Sequence, residues 1–92
     1  MSDGGDKPIV ISLHAKTRMV QRGATFEEVT KVLREGQKEQ AKRGKWHSIL
    51  KFEFDKPSPI TGLTYTHKTV DIVFLEEPER IVVLTVKVYY HN

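Results

Sequence analysis

His14, Arg18 and Arg22 recur at i, i+4 and i+8, the spacing that lines side chains up along one side of a helix. No carboxylate lies between them, so the two guanidiniums are left to repel each other. An anion along that face relieves the repulsion. Simple solvation would also serve, as would pairing of the arginines with Glu27, Glu28 or Asp71. The functional reading is phosphate chemistry. Cleaving RNA without a metal needs a base for the 2′-hydroxyl, an acid for the departing 5′-oxygen, and cations on the phosphorane. Histidine is the side chain that titrates nearest neutral pH. Arginine's planar fork donates to two phosphate oxygens at once. Hydroxyls such as Thr85 and Tyr89 can orient or protonate. The candidate catalytic set is therefore His14, Arg18, Arg22, Thr85 and Tyr89.

A second set follows from charge. The 92-residue chain has a net charge of +3, but from His14 to Lys51 ten Lys/Arg face four Asp/Glu, and elsewhere five face eight. The balance is thus +6 in one tract (10 − 4) and −3 in the rest (5 − 8). Concentrated positive charge draws polyanions, and nucleic acid is the commonest. Within the tract, Lys45, Trp46 and His47 combine a cation, an aromatic and an imidazole, a grouping that can grip a nucleotide by phosphate contact and base stacking. Trp46 reads equally as a core or sheet-face aromatic. With Lys42, Arg43 and Lys87 these residues make up the candidate nucleic-acid contacts. His47, His67 and His91 share no metal-ligand spacing, so no metal and no cofactor is expected. No cysteine is present, which excludes a disulfide framework and fits a cytoplasmic protein. No apolar run exceeds four residues, as in Ile81-Val82-Val83-Leu84, far too short to span a bilayer, and no membrane association is expected.

These residues need elements to hold them. Composition, 38% hydrophobic and 29% charged, is that of a globular domain. Residues 1–8 read as a disordered tail and residues 9–92 as a single domain. Ile9 to Ile11 is either a short strand or an apolar lead-in. Ser12 is the predicted cap of a first helix running to Arg22, with Leu13, Ala15, Met19 and Val20 in one apolar sector and Gly23 ending it. Thr25-Phe26-Glu27-Glu28 predicts a capping box. The helix it opens buries Phe26, Val29, Val32 and Leu33 and closes at Gly36.

Beyond Gly36 the period shortens to two. A weak edge strand is expected from Gln37 to Lys42, then a turn at Arg43-Gly44 and a strand from Trp46 to Phe54. Asp55 to Gly62 has turn chemistry and predicts a mobile loop. Strands from Leu63 to Leu75 and from Arg80 to Tyr90 follow. The last is the most apolar and is expected to lie centrally, with Val82, Leu84, Val86 and Val88 on one face and Thr85, Lys87 and Tyr89 on the other. The expectation is an α+β domain, α-α-β-β-β-β, in which two helices cover one face of a curled antiparallel sheet of three to four strands.

The stretch Ser12-Leu13-His14-Ala15-Lys16-Thr17-Arg18-Met19-Val20-Gln21-Arg22-Gly23 resembles the opening motif of a bacterial domain-of-unknown-function family, S-x-H-A-x-x-R-M-x-x-R-G. In that family a capped helix and a glycine follow, as Thr25 through Gly36 do here. The end of the pattern, an apolar strand running into T-V-x-x-Y, resembles Val83 to Tyr89. The family is similar to RelE-like toxins and to the barnase–EndoU–colicin–RelE group of metal-independent ribonucleases. The resemblance implies the same element order, cleavage of RNA, free or ribosome-associated, and a small acidic antitoxin-like partner. Carried over by position, it points to His14, Arg18, Arg22 and the Thr85 to Tyr89 strand. Two departures stand out: Ala24 occupies a position that is usually branched and apolar, and the segment from Asp55 to Lys68 is longer than in the family. The competing expectation is a non-catalytic module that binds nucleic acid or a protein through the same basic face.

Overall fold

A computed structural model describes residues 7–92. The elements run β1 (Ile9–Ile11), α1 (Leu13–Arg22), α2 (Phe26–Glu35), β2 (Gln37–Gln40), a short 3-10 turn (Lys42–Gly44), β3 (Trp46–Pro57), β4 (Thr64–Glu76) and β5 (Ile81–His91). The expected α+β layout holds: two helices precede a meander of strands and pack on one face of the sheet.

The sheet itself differs from expectation. It has five strands in the order β1-β5-β4-β3-β2, and β1 pairs parallel to β5, Ile9 with Ile81 through Ile11 with Val83. It is mixed rather than wholly antiparallel. The apolar lead-in is thus a strand. Of the predicted tail, residues 1–6 lie outside the described residues. Lys7 and Pro8 are anchored: the Lys7 ammonium reaches the Glu76 carboxylate and donates to the Glu77 carbonyl, while Pro8 O accepts from the Ile81 amide.

The core lies between the helices and the sheet. Ala15, Ala24, Val29 and Val32 come from the helical side, and Val70, Ile72, Phe74, Ile81, Val83 and Val86 from the strands. Ala24, at the position of the family departure, is buried. Ser48 is also buried there, its hydroxyl donating to Val32 O at 2.7 Å.

The faces of β5 depart from strict alternation. Register runs Val73 with Thr85, then Phe74 with Val83, so Leu84 is an extra residue in a bulge. A bulge shifts side-chain parity by one. Hence Ile81 and Val83, not Val82 and Leu84, join Val86 and Val88 on the helix side, while Thr85, Lys87 and Tyr89 face away as expected.

Asp55 to Gly62 is not a free loop. β3 continues to Pro57 through a second irregularity between Glu53 and Lys56, where Asp55 has φ 54. The turn beyond it is closed by Ser58, whose amide donates to Leu63 O and whose carbonyl accepts from Gly62. Its hydroxyl accepts from Ile60 and Thr61.

Candidate functional site

α1 carries the His/Arg face, and both of its ends are tied to β5. At the start, the Ser12 amide donates to Val83 O and its hydroxyl to Leu84 O, while the same hydroxyl caps the helix by accepting from Ala15 N. The bulge at Leu84 turns that carbonyl toward Ser12. At the end, Gly23 adopts φ 82 and its amide bonds Met19 O. Tyr90 Oη then donates to Arg22 O at 2.6 Å, and Lys68 Nζ donates to Gly23 O at 2.6 Å. The last carbonyls of a helix carry partial negative charge, so an ammonium there is favourable. α1 therefore continues the line of β1 and runs beside β5 from Leu84 to Tyr90, along the edge that β1 leaves unpaired.

Between them lies a groove of about 400 Å³ lined by Arg18 and Arg22 on one side and by Thr85, Val86, Lys87, Val88 and Tyr89 on the other. Among the described residues no carboxylate lines it. Two of the three internal acids that might have neutralised the arginines, Glu28 and Asp71, are engaged elsewhere. Glu28 receives the Thr25 amide and the Lys68 ammonium, the latter at 2.8 Å. Asp71 lies 3.3 Å from His47 Nδ1. Among the described residues, neither arginine has an ion-pair partner; the pairs involve Lys7, Lys38, His47, Lys68 and Arg80. Arg18 and Arg22 thus share one concave surface with the outer edge of β5, where Thr85, Lys87 and Tyr89 lie, and its net charge suits an anion.

Four of the five candidate catalytic residues, Arg18, Arg22, Thr85 and Tyr89, meet here. His14 does not line the groove. It is exposed on α1 one turn before Arg18, toward the end of the groove where Ser12 meets Leu84.

The candidate nucleic-acid contacts are divided. Lys87 lines the groove. Lys42, Arg43 and Lys45 sit at the β2–β3 turn, away from it. Trp46 is half-buried on the helix side of the sheet, with Lys38 Nζ 4.5 Å above its ring. His47 points to the opposite face, its ring nitrogens 3.2 Å from Glu39 and 3.3 Å from Asp71. Adjacent strand residues face opposite ways, so Trp46 and His47 cannot grip one nucleotide, and the two carboxylates beside His47 would repel a phosphate.

Lys68 and Tyr90 are the positioning residues that sequence reasoning missed. Lys68 is 2% exposed. Its ammonium lies 5.1 Å from the Phe54 ring centre and 5.9 Å from that of Tyr90, besides bonding Gly23 and Glu28. One signal was available: Lys68 shares the parity of Val70, Ile72 and Phe74, so it had to point into the core.

Comparison of the chain with known protein families, with curated proteins and with solved structures finds no match in any of the three. Among the described residues no helix is long and apolar enough to cross a membrane.

Proposed function

We propose that the groove between α1 and β5 holds the phosphate backbone of RNA and that the protein is a metal-independent ribonuclease of toxin type, with a RelE-like arrangement of helices on sheet. The observation that carries this reading is a groove lined by Arg18 and Arg22, which have no carboxylate partner among the described residues, together with Thr85, Lys87 and Tyr89. In the reaction, the His14 imidazole takes the proton of the 2′-hydroxyl. The 2′-oxygen bonds to phosphorus, the bond from phosphorus to the 5′-oxygen breaks, and the Tyr89 phenol protonates the leaving oxygen. The products are a 2′,3′-cyclic phosphate and a 5′-hydroxyl. Arg18 and Arg22 take up the charge of the phosphorane, and Thr85 orients the phosphate. A toxin acting on cytoplasmic RNA, ribosome-associated or free, also calls for a small acidic antitoxin-like protein to restrain it.

One observation favours a second reading, a non-catalytic module that binds RNA or an acidic protein: His14 stands outside the groove. A single experiment separates the two. Incubated with RNA in EDTA, the protein is expected to generate 2′,3′-cyclic ends, and His14→Ala to slow this by about a hundredfold or more. Arg18→Ala or Arg22→Ala should weaken RNA binding about tenfold and reduce its salt dependence. Binding without cleavage selects the second reading. Undiminished cleavage by His14→Ala rejects that residue's role, and no binding at low salt rejects both readings.

A further inference from the structure

The uncovered face of the sheet holds a pair of histidines that the groove chemistry does not use. His67 on β4 and His91 on β5 are direct cross-strand neighbours. Directly opposed antiparallel residues place their Cβ atoms about 5 Å apart. Here the two imidazoles stack, with ring centres 5.7 Å apart and planes 16° from parallel. Each ring is fixed through one nitrogen. Thr66 Oγ1 lies 2.9 Å from His67 Nδ1, and Thr69 Oγ1 lies 2.8 Å from His91 Nε2. His67 Nε2 and His91 Nδ1 have no protein partner among the described residues.

That pattern has a chemical meaning. A histidine that holds a metal usually donates its second ring N–H to a nearby oxygen, which sets the tautomer and aims the lone pair of the other nitrogen. Both rings already have such an oxygen, and both free nitrogens stand on a face that no helix covers. Because the rings stack, their in-plane lone pairs run nearly parallel, and joint binding of one cation requires the His67 ring to turn about χ2 toward His91. From the two structural facts, direct opposition and hydroxyl anchoring, we infer that His67 and His91 form a two-imidazole site for a borderline transition-metal ion, of the class Zn²⁺, Ni²⁺ or Cu²⁺. Imidazole nitrogen selects these ions over Mg²⁺ and Ca²⁺, which prefer oxygen.

The remaining coordination falls to water and to one nearby carboxylate. Glu53 on β3 is the register neighbour of His67, so Glu53, His67 and His91 form a row across three strands. Among the described residues no three side chains converge on a metal position as they stand. The carboxylate would have to swing in, which its exposed position immediately before the β3 irregularity allows. The site is independent of the RNA reading, since neither histidine lines the groove.

The test is calorimetric titration of the metal-free full chain with Zn²⁺, Ni²⁺ and Cu²⁺ in turn. One saturable site per chain is expected, strongest for Cu²⁺ and weakening as the pH is lowered. His67→Gln and His91→Gln should each abolish it. Thr69→Val, which keeps both imidazoles but removes the anchor of His91, should weaken it about tenfold. His47→Gln serves as the control and should bind like the parent. Circular dichroism of each metal-free variant checks that the fold is kept. Saturable binding that survives His91→Gln, or no saturable binding of any of the three ions, overturns the site.

Discussion

Tyr90 shows how a single side chain can fix a site it does not enter. Its hydroxyl holds the last carbonyl of α1, and its ring lies 5.1 Å from that of Phe54 and 5.9 Å from that of Tyr65. Burial, and to a lesser degree the nearby Glu28 carboxylate, raise its pKa above the ordinary value of 10.0. The folded state therefore keeps this proton to higher pH than the unfolded chain does. The stability contributed is fully present below pH 10 and is lost as the pH climbs through the folded value. Urea midpoints measured across the alkaline range should fall above about pH 10, and Tyr90→Phe should flatten that limb. An alkaline limb of equal steepness in the variant would refute the assignment.

At the scale of elements, Gly23 is where helix, loop and strand meet. Its φ of 82 suits glycine, and an added Cβ would lie 2.7 Å from both Pro59 Cγ and Tyr90 Oη. Gly23→Ala should cost more than about 1 kcal/mol. A thermal midpoint within a degree of the parent would show that the hinge has room to spare. The helices also show what a sequence reveals. The α2 cap was legible because Thr25 and Glu28 lie within one turn, and both halves of the capping box are made. The stripes were less so. Leu13 and Val20 share the apolar sector of α1 yet are 80% and 83% exposed, and Phe26 on α2 is also exposed. Periodicity gives the apolar side of a helix but not the width of the surface it meets. Because α1 runs beside the outer strand of its half of the sheet, only Ala15 is fully covered and Met19 partly so. That Arg18 and Arg22 share one side of α1 was legible from their spacing. The Leu84 bulge was not, since one extra residue leaves alternation intact on either side of it.

Across the whole molecule, Glu76 gathers the two borders of the sheet. Lys38 of β2 and Lys7, just ahead of β1, both reach its carboxylate. The hydrogen bond from Lys38 chiefly holds its pKa below the ordinary 4.5, with Lys7 adding to the effect and burial opposing it. For a depressed carboxyl the stability is present above the unfolded value and is lost as the pH falls through the folded one. Unfolding free energy should therefore drop below about pH 4.5, and Glu76→Gln should show a shallower acid limb. An unchanged limb would mean that the two lysines contribute nothing to holding the borders. The pairing of residues 9–11 with residues 81–83 has a kinetic consequence. Strands β2 to β5 can assemble through neighbours in the chain, whereas seating β1 joins stretches about 70 residues apart, an ordering that costs on the order of 4 kcal/mol in loop entropy. That seat is filled late in folding and vacated early in unfolding. Because α1 hangs directly from β1 through Ser12, the first fluctuation to release the opening strand also slackens the arginine wall, leaving the groove less durable than the sheet beneath it.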